Sequence, residues 1–244
     1  MDRDRYLALL ESDGNLLADS AGRDLDAAVP PCPGWVVRDV VTHTAEVYEH
    51  KLACIALRAA PQPWPPAWPA DRDPLEWFAD AHGRLLDVLR STDPATPAYT
   101  WFPPDQTVGF WVRRMAQETA VHRVDTQSAL AEAVTPVDDE LAVDGVDEVL
   151  ELMLAGDWSD EPVAAGAGTR VEVSAGGRAW VVALQPESVQ VSAPDGSPVD
   201  AGVSGAPSDV LLWLWGRTSD DSVMLSGDRA LGQVFRERLA LATQ

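Results

Sequence analysis

The spacing of apolar residues changes character at Pro136, and that change limits the folds open to this chain. Before it, apolar residues recur at a period near 3.6, as helices packing one face inward require; after it, stretches alternate with a period of two, the mark of half-buried strands. The expected organisation is therefore a helical domain over 1–136 and a mixed α/β domain over 137–244. Four helices are predicted in the first part. One runs from about Asp4 to Gly22, with Tyr6, Leu10 and Leu17 on one side. A second follows the turn PPCPGW and places Val40, His43, Val47 and Tyr48 on a shared face. A third covers about Pro74 to Arg90, and a fourth about Val108 to Ala133. The prolines of PQPWPPAWPADRDP cannot sit in a helix interior, so that segment reads as an extended loop. Four helices with one long connection suit a bundle.

In the second part an acidic helix is expected from about Asp138 to Ala155. It leads into TRVEVSA, RAWVVALQ and SVQVSAP, read as a strand meander with a tight turn at Gly176-Gly177. APSDVLLWLWGR then reads as a helix opened by Ser208 or Asp209, SVMLSG as a strand and DRALGQVFRERLALA as a closing helix.

The chemistry suggested by the sequence lies on two of the helices. Glu118 and His122 are four residues apart, just over one turn, so they share a face with Trp111, Met115 and Ala129. A carboxylate and an imidazole on an inward face are costly unless satisfied, and a metal ion would satisfy them. With His43 from the second helix the set is two histidines and a glutamate. That leaves a fourth position for solvent or substrate, as catalytic zinc sites do. Zinc suits these ligands best; nickel, cobalt and iron would also bind them.

Composition removes several classes of function. The formal charge is −21, from 39 acidic against 18 basic residues, with Lys51 the single lysine. Nucleic acids and anionic membranes need clustered cations, so neither is an expected partner. No stretch approaches the ~20 apolar residues of a membrane span, and MDRDRYLALLESDG lacks the apolar run of a secretory signal. Two cysteines, Cys32 and Cys54, are too few for a disulfide framework, and a cytoplasmic location is expected. GVSGA lacks nucleophile-elbow spacing, no glycine run is followed by a phosphate-binding lysine, and H-E-x-x-H is absent.

At PCPGWVVRDVVTH, RRMAQETAVHRVD and GAPSDVLLWLWGR the chain resembles the mycothiol-dependent maleylpyruvate isomerase-like family. The resemblance runs over nearly the whole chain and keeps the three signatures in order. It implies an N-terminal DinB-like four-helix bundle carrying a divalent metal, joined to a smaller C-terminal α/β domain. Carried over by residue, it implies His43, Glu118 and His122 as metal ligands, the three that spacing also selects. It further implies mycothiol, a sugar thiol, as cofactor or co-substrate, and Arg217 as a catalytic and cofactor-binding residue reaching an active cleft between the two domains. The activity implied is that of an isomerase or S-transferase acting with a small thiol on a small organic substrate, as a monomer or homodimer.

Other readings stand beside these. The chain could be a non-catalytic, metal-containing protein whose second domain binds a ligand, with Trp213 and Trp215 lining a groove; a buried helix accounts for them more simply. His50 lies about 10 Å along the axis from His43, too far to bind the same ion, which suggests a surface or supporting role. His82, Cys32 and Cys54 read as packing residues. Arg114 and Arg123 either pair with Asp125 or Asp39, or hold a ligand in orientation. Arg217 could instead pair with Asp220 or Asp221, or cap its helix.

Overall fold

The computed structural model describes residues 1–64, 72–130 and 133–243, and divides into two compact units, Met1–Thr135 and Pro136–Gln244. Most of the proline-rich loop and the end predicted for the fourth helix, at 131 and 132, lie outside the described residues.

The first unit is a four-helix bundle. Helix α1 (Arg3–Ala21) starts at Asp2, whose carboxylate accepts the Arg5 N–H. Helix α2 spans Val37–Leu57 and ends at Arg58 in the left-handed region, with φ 53°. Helix α3 (Pro74–Ser91) opens with proline in its first turn, where no N–H is missed, and Asp73 accepts from Leu75 and Glu76. Helix α4 spans Val108–Ala129. The principal packing pairs are α1 with α4 and α2 with α3, and α2 also lies against α4.

Helix α4 explains why one face is hard to see in its sequence. It is buried almost all the way round, including Arg114, Gln117, Thr119, His122, Arg123, Asp125, Thr126 and Gln127. Polar groups so placed must find partners, since an unpaired buried charge is costly. Thr119 and Thr126 donate back to the carbonyls of Met115 and His122, four residues before each. Arg123 is 1% exposed and its Nε donates to Asp13 of α1 at 3.0 Å, while its Nη1 reaches Gln127 and the Thr135 carbonyl. Arg123 thus joins α1 to α4; Asp13 had not been among the acids expected for it.

The second unit is a mixed sheet with three helices. Helix α5 (Asp139–Glu148) begins at Asp138 and continues as a π-helical stretch, Val149–Leu154, where a plain helix was predicted. Strands β1 (Gly156–Asp157), β2 (Arg170–Ala175), β3 (Arg178–Leu184), β4 (Ser188–Ser192), β5 (Ala201–Gly205) and β6 (Met224–Gly227) form one sheet in the order β1-β4-β3-β2-β5-β6. β2, β3 and β4 make the predicted antiparallel meander, with Gly176 and Gly177 at φ 57° and 78° in the turn. β5 was not predicted, and it runs parallel to β2, pairing Val173 with Val203. Helix α6 (Pro207–Leu214) lies between β5 and β6, and α7 (Arg229–Ala242) closes the chain. α6 starts at Pro207 after Ala206, rather than at Ser208 or Asp209. Ser208 instead accepts the Val137 N–H through its hydroxyl at 3.0 Å, tying the start of this unit to α6. Val210 to Leu214 are all buried, as a core helix requires. Among the described residues no helix is long and apolar enough to cross a membrane.

Candidate metal centre

The turn before α2 sets the position of His43. Gly34 adopts φ 89°, a conformation that suits glycine, and the chain folds back so that Val29 N–H meets the Trp35 carbonyl at 2.9 Å. Asp39 accepts the Val36 N–H at 2.9 Å and fixes the start of α2. Trp35 then lies edge-on to the His43 imidazole, 5.2 Å between ring centres. The residues of P-G-W-x-x-R-D-x-x-x-H thus build one corner: a turn, a cap and an aromatic wall holding a histidine.

α4 supplies the rest. His43 packs against His122 at 5.1 Å between ring centres, Tyr48 meets Thr119 through their hydroxyls at 2.5 Å, and Lys51 lies over Trp111. Positions rising along α2 meet positions falling along α4, so the two helices run antiparallel. His122 Nε2 is 3.2 Å from Glu118 Oε1, and His43 Nε2 is 3.6 Å from the same oxygen. One donor atom from each of the three residues lies within 4.8 Å of the others.

This donor set fits a small divalent ion. Tetrahedral bonds of the usual length place neighbouring ligand atoms about 3.3 Å apart, and two of the three separations are already close to that. The other faces of these ligands are engaged. Glu118 Oε2 accepts from Arg114 Nη2, leaving Oε1 toward the histidines. His122 Nδ1 lies 3.0 Å from Oδ2 of Asp125, which is fully buried. A carboxylate at Nδ1 holds the proton there and turns the Nε2 lone pair toward the cluster.

Two acids and a buried cation set the charge balance. Burial alone would push Glu118 upward, but Arg114 and then His122 pull it well below the usual carboxylate range. Burial would lower His122; the Glu118 charge and Asp125 outweigh it and raise the imidazole to about 9.

The remaining candidates fall elsewhere. His50 lies tilted against Trp64, 4.2 Å between ring centres, and shares its Nδ1 with Lys51; burial first, then the Lys51 charge, lower it to about 4. His82 is buried on α3 between Tyr48 and Phe78, with Nε2 donating to the Leu10 carbonyl at 3.1 Å. Cys54 is buried and Cys32 half-buried, and neither is in a disulfide. Arg114 pairs with Glu118, as the reading in which it orients a ligand expects. In the second unit, Arg217 is half-buried just past the end of α6, and its Nη1 donates to the Trp215 carbonyl at 2.8 Å. That contact is of the helix-capping kind. Asp220 is engaged by Trp213 and Arg236. A cavity of about 310 Å³ in this unit is walled in part by Asp220, Asp221, Arg229 and Gln233. Trp213 is 1% exposed and sits in the core with one edge on this cavity, while Trp215 is half-buried.

Three contributors escape sequence reasoning: Trp35, Lys51 and the pairing of Asp125 with His122. Only the last leaves a signal, since a residue three along a helix shares its neighbour's face.

Residues 8–127 match the model of the mycothiol maleylpyruvate isomerase N-terminal domain, and residues 140–233 match that of the C-terminal domain of the same proteins. The chain belongs to the mycothiol maleylpyruvate isomerase family. A solved structure of a mycothiol-dependent maleylpyruvate isomerase superposes with a TM-score of 0.62 at 15% identity, over 93% of each chain. A histidine-to-alanine mutant of such an isomerase gives 0.62 at 14%, again over 93% of each. At such identities the likeness is one of fold: the helical bundle and mixed sheet expected from the sequence. No curated protein matches the sequence.

Proposed function

We propose that this member of the mycothiol maleylpyruvate isomerase family is a metal-dependent enzyme using a low-molecular-weight thiol, mycothiol in the first instance, on a small organic substrate. The observation carrying the proposal is the convergence of His43, Glu118 and His122 from two antiparallel helices to within 4.8 Å. A divalent ion held there, zinc by preference, would supply Lewis acidity to keep a thiol sulfur as its nucleophilic thiolate at neutral pH. The chain's own residues do the rest. Asp125 keeps the His122 proton on Nδ1, so Nε2 is free to donate its lone pair. Arg114 occupies one Glu118 oxygen and leaves the other facing inward. Trp35 limits how far the His43 ring can turn. In an isomerase the sulfur adds to an activated double bond, rotation follows and the sulfur is expelled; in a transferase it displaces a leaving group and stays. The residues support the shared first step.

Zinc content of the purified protein tests the ligand set. Alanine at His43, Glu118 or His122 should each lower it sharply, while His50→Ala and His82→Ala keep it near one per chain; full occupancy in His122→Ala overturns the assignment. Cobalt-substituted protein titrated with mycothiol should develop a sulfur-to-cobalt charge-transfer band. If no thiol changes that spectrum, the non-catalytic metal-containing protein becomes the better reading. The family resemblance also nominates Arg217, since a guanidinium grips oxyanions with paired hydrogen bonds. Arg217→Ala should weaken thiol or substrate binding about ten- to a hundredfold with metal content unchanged; binding and turnover equal to wild type would leave Arg217 as a helix cap.

A further inference from the structure

The cavity of about 310 Å³ in the second unit has a helical glycine in its wall. Gly232 is the fourth residue of α7, and a Cβ built there would meet nothing within 4 Å among the described residues. Glycine inside a helix costs about 1 kcal/mol relative to alanine, and crowding does not account for it here. Its missing side chain leaves space, and that space opens on the cavity. The volume is at the lower end of the range for small-molecule sites, which suits a ligand of few atoms.

The wall carries both signs of charge. A 3-10 turn, Asp220–Ser222, contributes Asp220 and Asp221, and the first residue of α7 contributes Arg229. Asp220 is fixed in place: Trp213 Nε1, at 2.9 Å, and Arg236 Nη1 both donate to its Oδ1. The Trp213 bond, against the cost of burial, and then Arg236 and Arg229 hold its carboxyl below the ordinary value. The Arg229 charge is thus near enough to be felt at Asp220. A cation in the first turn opposes the helix dipole, so the stability of α7 does not explain Arg229. The same wall has apolar surface, from Leu225 of β6 and the edge of Trp213.

We propose that this cavity binds a small free amino acid with an apolar side chain. Asp221 receives the ammonium with Asp220 beside it, and Arg229 receives the carboxylate through paired hydrogen bonds. The side chain lies over Gly232, against Leu225 and Trp213. A free amino acid carries its two charges on one carbon, so it meets both signs of the wall at once. A bare acid would face the aspartates, and a bare amine would face Arg229. Every residue named belongs to the second unit, so the site does not depend on the metal centre.

Calorimetry on the full-length protein tests this with L-leucine, L-leucinamide and N-acetyl-L-leucine, which carry both charges, the ammonium alone and the carboxylate alone. Leucine should bind, and each blocked form should bind about ten- to a hundredfold more weakly, as loss of one charge-assisted contact implies. Arg229→Gln should bring leucine down to the level of leucinamide while leaving leucinamide unchanged. Asp221→Asn should likewise bring leucine down to the level of N-acetyl-leucine. Both positions are exposed, so these variants should fold. Gly232→Leu fills the open space and should abolish leucine binding, with Tm confirming that the variant is folded. Leucine affinity should be the same with zinc and with chelator, which separates this site from the metal-centre reading. No leucine binding by the wild type, blocked forms that bind as well as leucine, or full binding by folded Gly232→Leu would each overturn the proposal.

Discussion

Asp125 decides which nitrogen of His122 faces Glu118 and His43. It is fully buried and accepts from Nδ1 at 3.0 Å, so the other nitrogen is presented as a lone pair. Asparagine would keep the shape but could present its amide NH₂ and reverse the tautomer. Asp125→Asn should therefore lower zinc affinity by about ten- to a hundredfold, as loss of such partners does elsewhere; competition against a chelator of known affinity measures it, and an unchanged affinity would make Asp125 only a packing residue. The proposed ligands were legible in the sequence because four-residue spacing on an inward face is a local property. Trp35 was not, because its contact with His43 depends on the left-handed turn at Gly34 and on the angle at which α2 leaves it. Lys51 was noticed only as the one lysine; its burial beneath two tryptophans from other segments is a tertiary fact.

Between elements, α1 and α3 meet at a glycine that helix propensity alone would call a defect. Gly14 lies mid-α1, and a Cβ built there would sit 2.3 Å from His82 Nε2. The missing side chain is the space the imidazole occupies while donating to the Leu10 carbonyl. Gly14→Ala gains up to ~1 kcal/mol of propensity, but overpacking a core of this kind typically costs about 1–3 kcal/mol. Its Tm should fall, and a rise would mean His82 moves aside freely. The same histidine gives a pH dependence. Burial lowers its pKa below the usual value, against the pull of the Leu10 carbonyl and Glu11. The unfolded chain thus takes up a proton at His82 before the folded chain does, so this contribution to stability is complete above about pH 6.5 and declines as pH falls through it. Urea unfolding at about pH 7 and pH 5 should show a smaller loss in His82→Gln than in wild type; equal losses would place the titrating group elsewhere. At this scale the sequence was readable where one face is apolar, as in α1, α3, β2 and β3. It was not for β5, whose AGVSG offers two small inward residues, Ala201 and Val203, and two glycines. A Cβ at Gly202 would lie 2.6 Å from Ser226 Oγ, so the strand is glycine because its neighbour β6 comes close. Neither constraint is local, and only the sheet reveals them.

For the molecule as a whole, charge and metal act on stability in ways that one experiment separates. With 39 acidic and 18 basic residues, acidic groups outnumber arginine and lysine by 21. Exposed pairs such as Arg38–Asp26 and Arg90–Glu11 contribute about 0–1 kcal/mol each and weaken in salt. The surplus negative charge opposes compaction, and it too is screened, the Debye length falling from about 30 Å at ~10 mM salt to about 8 Å at ~150 mM. Because repulsive pairs outnumber attractive ones, screening should raise Tm over that range, well below the concentrations at which salt acts through exclusion from the surface. The metal acts differently. An ion held by His43, Glu118 and His122 binds only the folded bundle and should add about 2.7 kcal/mol at a hundredfold excess over Kd. Its three ligands sit largely out of solvent, so most of this gain should survive at ~150 mM salt. Melting curves at the two salt concentrations, with zinc and with chelator, should show a zinc-dependent rise in Tm at both, in addition to the rise with salt. Loss of the zinc-dependent rise at the higher salt would mean that the ion is held by diffuse surface charge and not by the three residues on α2 and α4.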